Sequence, residues 1–307
     1  MHTIKLPGPL RGIIPPLVTP LLDRDSLDTR GLAKLIDHVI RGGVHGLFVL
    51  GTSGEAPSLS HRLRREVVEH ACKITAGRVP VLAGITDTSF TESVDLCHAA
   101  KKAGANAVVL APPYYFPAGQ PELLEYLEHL VPQLDLPLFL YNMPSHTKLM
   151  FEPDTVRKAA DIPGVIGLKD SSANMIYFHR LQALLRDKPG FSLLVGPEEL
   201  LAETLLLGGH GGVNGGANLW PSLYVELYHA ALRRDLGRVM ALHEKVMQVS
   251  STVYAVGRFG GSAYLKGVKC GLSLMGICGD FMAEPFRKFR DRERDSIRKH
   301  LQRLGLL

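Results

Sequence analysis

The sequence lacks the signatures that would assign it to several large classes of protein. Its four cysteines, Cys72, Cys97, Cys270 and Cys278, form no CxxC pair and no zinc-spaced cluster with histidine, so neither a structural zinc site nor a dithiol redox centre is expected. Their apolar neighbours read them as reduced core residues of a cytosolic protein. No GxGxxG follows the first apolar run, which removes the dinucleotide-binding fingerprint. No apolar stretch is long enough to span a bilayer, and residues 1–11 contain no apolar segment of signal-peptide type. The expectation is a cytoplasmic protein with no membrane partner. None of the thirteen histidines falls in a triad or metal-ligand pattern, so no metal is expected. No low-complexity segment or linker interrupts the chain.

Charge of one sign is also scarce. Thirty-five lysines and arginines face thirty aspartates and glutamates, a formal charge of +5. Much of the surplus lies in Arg287, Lys288, Arg290, Arg292, Arg294, Arg298, Lys299 and Arg303, interleaved with acids. That pattern describes a solvated helical face rather than a nucleic-acid stripe. The small surplus would still help to attract anionic substrates.

What is present is a repeated alternation. With 307 residues, 46% of them hydrophobic, the chain has ample core material for two domains or for one large barrel with an extension. Apolar runs occur at 13–18, 46–50, 79–83, 107–110, 138–141, 165–168, 191–195 and 211–214. Amphipathic helical patterns follow most of them, at about 28–41, 60–75, 91–103, 121–131, from 153, 175–185 and 198–207. Strands alternating with helices imply a parallel sheet. Eight such units in some 200 residues predict an α/β fold, a (β/α)8 barrel, with a doubly wound open sheet as the rival. After Trp220 the pattern is wholly helical, over 224–232, 238–254 and 283–304. The expected organisation is a barrel over residues 1–219 and a helical extension over 220–307.

In such a barrel the C-terminal ends of the strands form the active site, and the chemically distinctive residues sit there. Val165, Ile166 and Leu168 lead into Lys169. A lysine that closes an apolar strand loses hydration, which favours its neutral, nucleophilic amine; equally, its stem could pack on the rim while its head reaches water. Gly51-Thr52-Ser53-Gly54 offers two hydroxyls and free amides that can cradle a carboxylate, or is an ordinary strand-to-helix turn. Tyr141 ends the fifth run, either as a proton-transfer group beside an amine or as a core tyrosine. Tyr114 and Tyr115 follow Pro112-Pro113, and the glycines of 208–216 permit close approach of backbone to a ligand or make tight barrel turns.

Taken together, Gly51-Thr52-Ser53-Gly54-Glu55, Pro113-Tyr114-Tyr115, Tyr141-Asn142-Met143-Pro144, Gly167-Leu168-Lys169-Asp170 and Gly208-Gly209-His210-Gly211 resemble the dihydrodipicolinate synthase and N-acetylneuraminate lyase family. The resemblance covers the chain from Gly12 to the C-terminal helices. It implies a TIM barrel with a C-terminal helical domain, a homotetramer built as a dimer of dimers, and class I aldolase chemistry with no metal or organic cofactor. It implies that Lys169 forms a Schiff base with pyruvate or another 2-keto acid, that Tyr141 moves protons, and that Thr52 joins the relay. Ser53 would hold the keto-acid carboxylate, Tyr115 would enter the neighbouring subunit's site, and the Val213 carbonyl would face the substrate.

Two positions direct the expectation within the family. Synthases carry an arginine two residues after the Tyr-Asn-x-Pro proline, where this chain has His146. The sugar-acid lyases carry an Asp-Glu pair where this chain has Glu198-Glu199, although Gly215 stands where they have a serine. The expected substrate is therefore a hydroxylated sugar-type 2-keto acid. The alternatives are a synthase condensing pyruvate with aspartate semialdehyde, and a non-catalytic keto-acid-binding barrel.

Overall fold

The computed structural model describes residues 6, 8–257 and 260–307; most of the N-terminal stretch read for a leader, residues 1–5 and 7, lies outside the described residues. Eight parallel strands run β1 (Gly12–Ile13), β2 (Leu47–Val49), β3 (Val81–Gly84), β4 (Ala107–Leu110), β5 (Leu138–Asn142), β6 (Val165–Asp170), β7 (Ser192–Val195) and β8 (Gly211–Gly212). They hydrogen-bond in the order β1-β8-β7-β6-β5-β4-β3-β2. The two ends of that order also meet. His45 N–H donates to the Ile13 carbonyl at 2.8 Å, Phe48 N–H to Pro15 at 3.0 Å, and Leu17 N–H to Phe48 at 2.8 Å. These bonds close the sheet into the expected barrel.

Helices α1 (Thr29–Arg41), α2 (His61–Thr75), α3 (Phe90–Ala103), α4 (Gln120–Leu130), the single turn α5 (Pro144–Thr147), α6 (Pro153–Ala159), α7 (Met175–Leu184) and α8 (Leu201–Leu206) cover the barrel. Their starts follow from local chemistry. Asp28 accepts from Gly31 N–H, Ser60 from Leu63 N–H and Asn174 from Tyr177 N–H, each satisfying an amide of the first turn. Four more helices complete the chain: α9 (Pro221–Leu232), α10 (Leu236–Thr252), α11 (Ala263–Leu274) and α12 (Asp291–Arg303).

The last stretch departs from the sequence expectation twice. Helix α11 falls where no helix was expected, because Gly257, Gly260, Gly261, Gly267 and Gly271 break up the pattern. Inside α11 the glycines serve close packing: a Cβ on Gly267 would stand 2.2 Å from the Val253 carbonyl oxygen, and one on Gly271 2.7 Å from a Leu219 methyl. The helix expected over 283–304 begins only at Asp291. Pro285, lacking an amide donor, stands in the segment before it.

The apolar residues form two layers. Ile14, Phe48, Leu82, Val109, Phe139, Tyr141, Leu194 and Val213 fill the barrel interior, while Leu47, Val49, Val108, Leu138, Leu140, Val165 and Leu168 face the helices. Strict alternation would put Val165 and Lys169 on the same face, outward. The pairing of β5 with β6 instead skips Ile166: Leu138 pairs Val165, Phe139 pairs Gly167 and Tyr141 pairs Lys169. This one-residue bulge reverses the parity of everything after it. It turns Lys169 into the barrel beside Tyr141. Gly167 has to be glycine there, since a Cβ would meet the Phe139 ring at 2.4 Å and the Ser192 carbonyl at 2.8 Å.

Candidate active site

The bulge leaves Lys169 5% exposed at the C-terminal mouth of the barrel. Its Nζ stands 3.8 Å from the centre of the Tyr141 ring and 5.4 Å from that of Phe48. The Tyr141 hydroxyl shares a 3.1 Å hydrogen bond with Thr52 Oγ1. Burial acts to raise the Tyr141 phenol, but the Lys169 charge and hydrogen bonds from Thr52, Lys169 and Ser171 outweigh it, so the net shift is downward. A phenol shifted that way against a lysine is suited to passing protons.

A cavity of about 310 Å³ opens over this pair, lined by Lys169, Tyr141, Thr52, Ser53, Val213, Glu198 and His146 among others. The structure thus gathers every site residue expected from the sequence except Tyr115. A second, mainly apolar cavity of about 440 Å³ adjoins it, sharing Thr52, Tyr141, Met143 and His146. Tyr115 is 75% exposed on the loop between β4 and α4, its ring edge-on to Phe116 at 5.0 Å. Val213 is buried, with its N–H bonded to the Val195 carbonyl at 2.8 Å. His146 lies on α5 with Nδ1 3.0 Å from Ser145 Oγ. Burial, then the Lys169 charge, lowers its pKa, so its imidazole is neutral at pH 7.

Glu198 is held differently from the free acid that the sequence suggested. It is 4% exposed, and both its oxygens are occupied. Oε2 accepts from Gly216 N–H at 2.8 Å; Oε1 accepts from the Tyr224 hydroxyl at 2.9 Å and from the Tyr254 hydroxyl. Burial pushes its pKa up to about 7 against the pull of those donors.

Sequence reasoning missed Tyr264, at the start of α11, which lines both cavities. Its hydroxyl lies 2.8 Å from Ser53 Oγ, and its ring packs edge-on against Tyr254 at 4.8 Å. No local pattern marks it, because it follows the glycine-rich stretch that reads as loop. The same helix carries a buried ion pair. Lys269 Nζ donates to Glu55 Oε2 and, at 2.7 Å, to the Phe281 carbonyl, while Ala283 N–H donates to Glu55 Oε1 at 2.8 Å. Glu55 ends the Gly51–Glu55 turn, so α11 is fastened to the turn that bears Thr52 and Ser53. Among the described residues, no group of three or more His, Cys, Asp or Glu side chains is placed to hold a metal.

An amine beside a phenol at the mouth of a parallel barrel is the equipment of a lysine-imine aldolase, and the protein is a lyase of this class I type. The chain belongs to the dihydrodipicolinate synthetase family, whose profile matches residues 9–304. It is 32% identical over 301 residues to the 4-hydroxy-tetrahydrodipicolinate synthase of Leptothrix cholodnii, covering 98% of this chain and 100% of that one. A solved structure of dihydrodipicolinate synthase from Bacteroides thetaiotaomicron is 61% identical with a TM-score of 0.94, covering 97% of this chain and 100% of that one. A prophage protein of the dihydrodipicolinic acid synthase family from Escherichia coli, solved with pyruvate, is 30% identical with a TM-score of 0.92, covering 98% and 100%.

Proposed function

We propose that the protein is a cytoplasmic enzyme that condenses pyruvate, held as an imine on Lys169, with aspartate semialdehyde, the reaction of a 4-hydroxy-tetrahydrodipicolinate synthase. The observation that carries the imine reading is the Lys169–Tyr141–Thr52 arrangement, with an amine 3.8 Å from a phenol ring whose hydroxyl is bonded to a threonine. The Lys169 amine adds to the keto carbon, and the carbinolamine loses its hydroxyl as water, with Tyr141 supplying the proton. The protonated imine then draws electrons from C3, a C3 proton leaves, and the enamine carbon attacks the aldehyde while the new alkoxide takes a proton; the semialdehyde's own amine then adds to the imine carbon and expels Lys169 as free amine, closing the ring and releasing the product. Ser53 holds the pyruvate carboxylate and the Val213 backbone lines its other side.

The acceptor is chosen on Glu198. The expectation of a sugar-type acid rested on His146 in place of the synthase arginine and on Glu198 as an acid that could accept from substrate hydroxyls and repel a distal carboxylate. With both oxygens engaged and a pKa near 7, its acceptor sites are taken and it is only partly charged near neutral pH, and the curated relatives carry the synthase name. One observation favours a second reading, cleavage of polyhydroxylated 2-keto acids: the neutral His146 gives no fixed charge for a distal carboxylate. Measured kcat/KM separates the two. The condensation should exceed about 10⁴ M⁻¹s⁻¹ with cleavage of polyhydroxy acids far slower. His146→Arg should improve use of the aldehyde acid by about tenfold through a charge-assisted contact. Efficient cleavage without condensation selects the second reading.

We further propose that the protein works as a homotetramer in which Tyr115 completes the relay of a neighbouring subunit, an idea that its exposure in the single chain supports. Tyr115→Phe should then lose most turnover while still forming the imine. Mixing it with Lys169→Ala protein should restore activity as subunits exchange, since some sites would regain both side chains. Absence of rescue despite demonstrated exchange refutes a shared site.

A further inference from the structure

We propose that Tyr264, delivered by helix α11, is a positioning residue that aims the Ser53 hydroxyl at the substrate carboxylate. The inference rests on the imine reading above, in which Ser53 holds that carboxylate. A serine has one proton to give. If Ser53 donates it to the carboxylate, Ser53 Oγ must accept its hydrogen bond from another donor, and the Tyr264 hydroxyl stands 2.8 Å away.

Tyr264 has little else to do with its proton. The nearby acceptor, Glu198, is already filled by Gly216 N–H and by the Tyr224 and Tyr254 hydroxyls. Burial, then the Glu198 charge, holds the Tyr264 phenol well above its ordinary range, so it stays a donor. The backbone is cut to fit it: a Cβ on Gly215 would lie 1.7 Å from the Tyr264 oxygen, so only glycine leaves room for the hydroxyl there. This also accounts for the missing serine at 215. The Lys269–Glu55 pair clamps α11 to the Gly51–Glu55 turn, fixing donor and acceptor in one frame. The C-terminal segment therefore reaches the chemistry itself rather than only covering the barrel.

The test uses the full-length protein and borohydride trapping with two ketones, pyruvate and acetone, the second lacking a carboxylate. Tyr264→Phe keeps the ring and its packing on Tyr254 while removing the one donor. Its trapping efficiency for pyruvate relative to acetone should fall about fivefold, the share of one neutral hydrogen bond. Ser53→Ala should lower the same ratio at least as much. The double variant should resemble Ser53→Ala alone, because Tyr264 acts only through Ser53. An unchanged ratio in Tyr264→Phe overturns the proposal, as does an equal loss for both ketones or a double variant in which the two losses multiply. If Ser53→Ala leaves the ratio unmoved while Lys169 still traps pyruvate, this proposal falls and the imine reading stands. If the native protein gives no adduct on Lys169, both fall together.

Discussion

Lys169→Ala protein should give no reducible adduct with pyruvate, and its turnover should fall by about 10⁵-fold or more, as when a covalent nucleophile is removed from an enzyme. Lys169→Arg should do the same although it keeps the charge, because a guanidinium stays protonated and cannot add to a carbonyl. The measurement is intact mass followed by peptide mapping after borohydride reduction. In native protein the reduced pyruvate adduct should map to the peptide holding Lys169. Among the described residues two other lysines are buried, Lys266 and Lys269, and an adduct on either with none on Lys169 contradicts the reading. Lys169→Met adds an optical check. The Lys169 charge is what most opposes the upward push of burial on Tyr141, so without it the phenol should titrate at higher pH.

The second large effect concerns stability. Lys269→Met should destabilise the protein by about 3–5 kcal/mol, since removing one partner of a buried pair leaves the other charge without compensation. Lys269 and Glu55 side chains are 0% and 2% exposed, so water cannot replace the lost partner. The melting temperature should drop by roughly 5–8 °C on the scale expected for a chain of this size. Adding Glu55→Gln should recover part of the loss, because the amide oxygen can still accept from Ala283 N–H while the stranded charge is gone. A fall of less than about 1 kcal/mol in Lys269→Met, the range of exposed pairs, would show that the pair does not hold α11 in place.

The alternation of apolar runs with amphipathic patterns was sufficient for the barrel. Each unit is local, each strand is apolar because helices cover it outside and side chains fill it inside, and a capping residue such as Asp28 marks a helix start. Helix α11 was not legible, because its glycines are there for contacts with Val253 and Leu219 that lie outside any local window. Glu198 was legible as an acid at a strand end, but not as an acid already claimed by Gly216, Tyr224 and Tyr254, which follow it by 18 to 56 residues.

By itself, then, the sequence determined the alternation of strands and helices around the barrel, the placing of Thr52, Ser53, Tyr141 and Lys169 at strand ends, and the chemistry available to those side chains. The tertiary structure alone decided which way they point and what they meet. Period-two alternation cannot reveal a bulge, and the extra residue at Ile166 is what turns Lys169 from the helix layer into the barrel. Nor can a local pattern reveal that Tyr264 reaches Ser53 across 211 residues of chain. That contact depends on the closed barrel and on the buried Lys269–Glu55 pair that seats α11 against it.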